Sequence, residues 1–248
     1  MNIEIYRQIT KRREQINKNL SIHTEGIEKL KKHYWTKGID KSKKAYRDPI
    51  RFIKQSYPDV FKQVANVNIY STTASAIKSC LRLEDAYGFF STRTSDIFLT
   101  FGQFEYDELI KINPTIDEIL CHEMLHAVSF FRGSGGFVRY ANIEEDFAYG
   151  GMIPYIRSKG YNDKEIANRT LLAYCLSKHL QNKDYFKELG YDRKKMSHSD
   201  FCSAWARIRR VYKNGLRKGA FEEAMEFIKN FGNKRAIRFE GRFSALEF

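Results

Sequence analysis

Two common features are absent from this 248-residue sequence: an apolar run long enough to span a membrane, and any CxxC pair. Without such a run, no transmembrane helix is expected, and the N-terminus MNIEIYRQITKRREQ has no apolar segment of the kind that a secretory leader contains. Without a CxxC pair, neither a zinc ribbon nor a thioredoxin-type site is indicated. We therefore expect a cytoplasmic protein, in the host-cell cytoplasm if its source is viral. Its four cysteines should be reduced, buried thiols: Cys80, Cys121, Cys175 and Cys202.

Acidic residues are too few to balance the basic ones, since 30 Asp and Glu face 43 Lys and Arg, a formal net charge of +13. A field of this sign attracts nucleic acid, anionic membrane surfaces or acidic proteins. The apolar content of 42% supports a packed core and argues against disorder. One basic helical cluster is interpreted as a solvated face, with nucleic-acid contact as the alternative: Arg207, Arg209, Arg210, Lys213, Arg217 and Lys218.

Hydrophobic periodicity divides the chain into a core flanked by two basic helical regions. The N-terminal region contains Ile and Leu at helical spacing up to residue 35, followed by a helix from Lys41 to Gln55. The predicted divisions are a basic helical N-terminal region at residues 1–62, a core at 63–185 and a basic helical C-terminal region at 186–248.

Inside the core, short β-branched and aromatic runs predict a small, mostly antiparallel sheet with a hairpin. The strands are Val64 to Tyr70, Gly88 to Ser91 and Ile97 to Phe101. An apolar, buried helix then begins with a capping-box pattern, Thr115 and Glu118. Further helices are predicted near residues 143–157, 162–182 and 197–230, so the fold class is α+β.

The buried helix contains His122-Glu123-Met124-Leu125-His126, an HExxH motif. Residues at positions i and i+4 share a helix face, so the two imidazoles can bind one metal ion while Glu123 faces a metal-bound water. The alternative is a chance match. However, burying two His and a Glu without partners would cost several kcal/mol, and a metal ion would satisfy all three together.

Downstream, 18 residues separate His126 from Glu145, which lies in Glu144-Glu145-Asp146-Phe147-Ala148. Over residues 115–156 the sequence resembles the gluzincins, the thermolysin and zinc-aminopeptidase clan, in which a Glu on a second helix follows HExxH at about this distance. The resemblance implies a zincin-like core, a Zn²⁺ cofactor, the ligands His122, His126 and Glu145, and Glu123 as general base of a peptidase.

The sequence departs from this family at several positions. Glu144 stands where the aminopeptidases have Asn and competes with Glu145 as third ligand. Tyr149 stands where thermolysin-type enzymes have a supporting Asp; Asp146 is a candidate support instead. The Gly-x-Met-Glu-Asn motif of the aminopeptidases is absent. Candidate oxyanion stabilisers are Tyr149, Tyr140, Tyr155 and His179.

The strand followed by His-Glu-Met-Leu-His-Ala is also similar to the SprT/Spartan peptidases, which cut proteins crosslinked to DNA. Their third ligand is a His soon after the motif, whereas the next histidine here is His179. The sequence therefore predicts a zinc peptidase acting on protein or peptide, with an extended substrate paired to Ile97–Phe101. A DNA-associated SprT-like protease and a non-catalytic assembly protein that keeps a zinc site remain alternatives.

Overall fold

The computed structural model describes residues 25–32, 37–38, 40–41, 43–81, 88–101, 105–106, 110–111, 114–133, 141–182, 185–192 and 196–231. These residues form a mostly helical α+β protein with a small mixed sheet, which confirms the predicted class. Among them, no helix combines the length and apolar character that crossing a bilayer requires.

Helices account for most of the described chain, and those predicted in its second half are confirmed to within a few residues. A π-helical segment, Ala167–Leu171, joins α7 to α8. The helices are α1 (residues 25–32), α2 (Lys44–Ser56), α3 (Phe61–Ala65), α4 (Ala74–Leu81), α5 (Ile116–Phe131), α6 (Ala141–Ser158), α7 (Asp163–Ile166), α8 (Leu172–Asn182), α9 (Tyr185–Glu188) and α10 (His198–Phe231).

The main sheet has the strand order β1-β2-β4-β3. Its strands are β1 (Lys37–Gly38), β2 (Asn68–Thr73), β3 (Gly88–Ser91) and β4 (Asp96–Phe101), and a separate two-stranded ribbon pairs β5 (Glu105–Tyr106) with β6 (Ile110–Lys111). The predicted β3–β4 hairpin is confirmed, with Ser95 at a φ of 53° in its turn. The sheet is mixed, because its six-residue pairing of β2 with β4 is parallel.

Two expectations about strands are wrong. The run beginning at Val64 does not start as a strand: Val64 lies in α3, where it is buried in the main core, and β2 begins at Asn68. Strand β4 lies between β2 and β3, so Ile97–Phe101 offers no free edge to a substrate. The edge strand beside it is β3.

Helix α5 lies at the centre of the main core. Thr115 is its N-cap, and the Thr115 N–H donates to Glu118 Oε2 at 3.0 Å. Leu120, Leu125 and Val128 are all fully buried, because β3 and β4, α2, α3 and α6 surround the helix. The structure therefore encloses α5 as its apolar sequence predicts, and any polar side chain on it needs a specific partner.

The main core continues across both predicted region boundaries. Ile53 and Tyr57 join it from the N-terminal side of residue 62, and Ala224 and Phe227 join it from the C-terminal side of residue 185. A separate cluster around Tyr185, Ile208 and Leu216 lies under the first half of α10. The three-region division itself stays a prediction.

Some predicted features lie outside the described residues: the helix before residue 25, the segment after residue 231 and Tyr140. The side chains of Glu144, Cys202 and Arg209 also lie outside them. Cys80, Cys121 and Cys175 are buried and unbridged, as expected of reduced thiols.

Candidate metal centre

Helix α5 presents His122 and His126 on one face. Their Nε2 atoms lie 3.1 Å apart, and the two rings meet nearly edge-to-face with centroids 4.7 Å apart. Both side chains are largely but not fully buried, with 13% and 16% of their surface exposed. The motif therefore forms a pair of nitrogen donors at the edge of the core, where a small molecule can approach.

Helix α6 brings Glu145 against this pair. Glu145 Oε2 lies 3.3 Å from His122 Nε2, and Oε1 lies 3.4 Å from His126 Nε2. The two helices pack closely because residue 151 is glycine: a Cβ there would lie 3.0 Å from Leu125 Cδ2. Because α5 and α6 both pack in the main core, the carboxylate is held opposite the imidazoles by rigid elements.

These three side chains form a group that could hold a metal ion, with all donor atoms within 4.8 Å of one another. Tetrahedral zinc with ligand bonds of about 2.0–2.1 Å places neighbouring ligand atoms about 3.3–3.4 Å apart. The two Nε2 atoms are 3.1 Å apart, and each faces a different oxygen of Glu145, at 3.3 Å for His122 and 3.4 Å for His126, which is close to these values. The residues therefore fit a tetrahedral metal ion, although the geometry alone selects no particular element.

The imidazoles also determine the charge state of Glu145. Burial raises the pKa of this carboxyl, but hydrogen bonds and charge interactions with His122 and His126 outweigh burial and hold the pKa well below its usual range. Glu145 is therefore an ionised carboxylate, the form that ligates a metal.

Glu123 lies beside the cluster, 6% exposed, under the edge strand β3. The backbone N–H of Phe90 donates to its carboxylate. A Cβ at Gly88 would lie 2.7 Å from Glu123 Oε1, so glycine at this position lets the strand pass directly over the carboxylate. Burial raises the pKa of Glu123, while the charges of His122 and His126 partly offset that rise.

Aromatic rings support the other side of the cluster. The ring of Tyr149 packs against His122 at 4.4 Å between centroids, and Tyr174 of α8 stacks on Tyr149 at the same distance. Buried His122 Nδ1 has no hydrogen-bond partner in the described part of the chain. Tyr149 thus contacts His122 through ring packing at the position where thermolysin-type enzymes have a carboxylate.

No protein-family model, curated protein or solved structure matches this chain. The chemistry of the site therefore has to be inferred from its own geometry. Two nitrogen donors, an ionised carboxylate and a second, buried carboxylate lie together at the core edge. This arrangement can bind a divalent cation and accept a proton beside it.

Several other predicted candidates are engaged elsewhere. Asp146 accepts hydrogen bonds from Tyr174 and from Lys178 Nζ, the latter at 2.6 Å, so its carboxylate is directed to α8. The Tyr155 hydroxyl donates to Asp117 Oδ2 at 2.6 Å, near the N-terminus of α5. Burial raises the pKa of the Cys121 thiol well above its usual value, which keeps the thiol protonated.

His179 is held in a separate buried group. Its Nδ1 lies 2.9 Å from Glu223 Oε1, and its Nε2 lies 3.0 Å from the Tyr185 hydroxyl. The ring lies so close to α10 that a Cβ at Gly219 would be 2.2 Å from it. Both ring nitrogens are occupied, so His179 does not supply the third ligand that a SprT-like site would need.

The sequence does not identify Gly88, Phe90 and Tyr174 as residues of the site. A glycine at the start of an apolar strand is a signal of close backbone approach, and Gly88 carried that signal. The Phe90 N–H and the Tyr174 stack had no comparable local signal, because each contact joins elements distant in sequence.

Proposed function

We propose that this chain is a zinc-dependent peptidase in which His122, His126 and Glu145 hold the metal ion and Glu123 is the general base. The observation that carries the proposal is the convergence of two imidazole nitrogens and the Glu145 carboxylate beside a second, buried carboxylate, that of Glu123. Bound zinc would polarise the scissile carbonyl and lower the pKa of a coordinated water toward about 7.

Glu123 would act on that water. Its buried carboxylate has a raised pKa, so it accepts a proton more readily than an exposed glutamate does. The same group would then deliver the proton to the departing amine. The Phe90 N–H would keep the carboxylate oriented during both transfers.

The donor count favours this function over a purely structural zinc site. A structural site usually closes around zinc with four protein ligands, whereas a catalytic site keeps three and leaves one position open. Within the described ranges, the metal-binding group consists of three residues. Since the group is partly exposed, water and substrate can reach the remaining position.

The position of β3 suggests how substrate would bind. Strand β3 is the edge strand that packs on α5, and Phe90 on it contacts Glu123. A peptide paired with this edge would have its backbone beside the general base. The proposed substrate is therefore an extended segment of protein or peptide that lies along β3 rather than along β4.

The test combines metal analysis with hydrolysis of a mixed fluorogenic peptide library by zinc-loaded protein. The wild type should bind about one zinc ion per chain. The Glu123→Gln variant should keep the metal and lose activity by about 10²–10⁴-fold, the usual contribution of a general base. Glu165→Gln, at an exposed site on α7, is the matched control and should change neither.

The third ligand is tested in the same way with Glu145→Ala and Glu144→Ala. Metal should be lost from Glu145→Ala and from His126→Ala, and retained by Glu144→Ala. A folded wild type that binds no zinc after incubation with the metal would overturn the whole proposal. Zinc binding without hydrolysis, unchanged by Glu123→Gln, would assign the site a structural role.

A further inference from the structure

The first half of α10 has an unusual charge pattern. Residues 201–221 contain six Lys or Arg and no Asp or Glu. The five whose side chains the structure describes are all exposed, and we call these five the basic stripe: Arg207, Arg210, Lys213, Arg217 and Lys218. The second half of the same helix is different, because it carries Glu222, Glu223 and Glu226 as well as Lys229.

The basic stripe occupies one side of the helix. Ala204, Ile208 and Leu216 are buried against α8 and α9 and define the opposite side. The kink of α10 at Tyr212 lies between Arg210 and Lys213. At about 100° per residue, the two stripe residues before it lie within an arc of about 60° and the three after it within about 140°. At about 1.5 Å per residue, the path along the kinked helix from Arg207 to Lys218 is about 16 Å.

This arrangement opposes helix stability. Arg207 and Arg210 are three residues apart, where like charges destabilise a helix. The stripe contacts that Arg207 and Lys218 make with described residues are long. Arg207 Nη1 lies 3.4 Å from the Tyr191 hydroxyl, and Lys218 Nζ lies 3.9 Å from Glu222. A row of same-sign charges kept against this repulsion is best explained by an anionic partner.

The shape of the row favours a nucleic acid over a membrane. Interfacial membrane helices bury a whole apolar face in the bilayer, whereas the apolar face of α10 is buried in the protein and Val211 alone adds exposed apolar surface among its described side chains. A polynucleotide strand instead presents a regular row of charges, about one per 3.4 Å. A stripe of about 16 Å would therefore face about five phosphates of one strand.

We propose that the basic stripe of α10 binds the phosphate backbone of a nucleic-acid duplex without reading its sequence. The proposal does not rest on the proposed peptidase function, since none of the stripe residues belongs to the metal centre. Contacts of Lys and Arg with phosphates position a protein on a duplex but carry no sequence information directly.

The test measures binding of the full-length protein to a labelled DNA duplex of mixed sequence by fluorescence anisotropy across a range of KCl concentrations. The stripe variant is Arg207→Gln/Arg210→Gln/Arg217→Gln. The matched control, Lys62→Gln/Lys164→Gln/Lys229→Gln, removes the same net charge from exposed sites on α3, α7 and the second half of α10.

In the stripe variant, affinity at about 0.1 M KCl should fall by at least about tenfold. The slope of log K against log salt should become shallower by about 2 to 3, since each lost phosphate contact removes about 0.9. The control should change affinity by less than about threefold. If the triple variant does not fold, Arg210→Gln alone should reduce the slope by about 1.

Three results would overturn the proposal: no binding by the wild type at low salt, equal losses in the stripe and control variants, or tighter stripe-dependent binding to another polyanion. The last is examined with anionic phospholipid vesicles and with polyglutamate at the same ionic strength. An unrelated duplex sequence should bind within about twofold, whereas strong discrimination would contradict backbone recognition.

Discussion

Helix α5 takes part in two carboxylate sites, and the carboxylates have different partners. Near its N-terminus, Glu118 is fully buried, but the Thr115 N–H, Lys159 Nζ and Arg169 Nε contact its oxygens at 3.0 to 3.2 Å. About one and two turns later, His122 and His126 of α5 are the partners of Glu145, which belongs to α6 and has a side chain that is 40% exposed. A lysine and an arginine balance the carboxylate at the first site. The partners of the carboxylate at the second site are imidazoles, which are neutral when deprotonated.

The difference indicates what each place is for. Two cations and a backbone donor satisfy the charge and the hydrogen-bonding capacity of a buried carboxylate, so the Glu118 group serves to join α5 to α6 and the π segment. The charge of a carboxylate opposite two imidazoles is balanced in the same way when a cation lies between them. The contrast therefore separates a structural charge network from the proposed metal site at the other end of α5.

The largest effect should come from supplying that cation. Zinc at about a thousandfold above its Kd should raise the free energy of unfolding by about 4 kcal/mol, because the folded state binds it and the unfolded state does not. Thermal melts with zinc and with a chelator measure this shift. His126→Ala should show no shift, while Glu118→Ala should keep it. If zinc does not change the melting temperature of the wild type, the second site is not a metal site and its contrast with the Glu118 site is wrong.

A somewhat smaller effect is expected at the other end of α5. Glu118→Ala leaves Lys159 and Arg169 without their buried partner and should destabilise the fold by about 3 kcal/mol. The value is at the low end for a buried pair, because these side chains are 25% and 27% exposed and can be hydrated. Urea titration measures the change.

Glu165→Ala is the matched control for that prediction. Glu165 plays the same capping role at α7, where it accepts a hydrogen bond from the Asn162 N–H at 2.8 Å. It is exposed, and its removal leaves no buried cation of the described residues unpaired. Its loss should cost about 1 kcal/mol. Equal effects of the two variants would show that capping, rather than the buried charge network, accounts for the role of Glu118.

The sequence could predict the elements whose signals are local. The capping box of Thr115 and Glu118, the HExxH spacing and the β3–β4 turn each lie within a few residues. The pairing of Glu145 with the motif came from a family resemblance, and the structure brings Glu145 to the imidazoles.

What the sequence could not predict depends on contacts between distant segments. Val64 has the β-branched character of a strand residue, but packing in the main core places it in a helix. The central position of β4 follows from its pairing with β2, 28 residues earlier in register. Lys159 and Arg169, which balance the charge of Glu118, lie 41 and 51 residues later in the chain, so no local sequence pattern predicts their contacts with it.

The smallest effect concerns pH and Asp117, the exposed-side neighbour of Glu118. Burial raises the pKa of Asp117, but hydrogen bonds from Lys159, Thr115 and Tyr155 outweigh burial and hold the pKa below its usual value. A carboxyl with a lowered pKa stabilises the fold above the unfolded pKa of about 3.9, and this contribution is lost as the pH falls further.

Urea titrations at pH 5 and pH 3 should therefore show a smaller acid-induced loss of stability in Asp117→Asn than in the wild type. If Asp117→Asn and the wild type lose stability in parallel, the network at the start of α5 owes its strength to Glu118 alone, because Lys159 would then gain nothing from its second carboxylate.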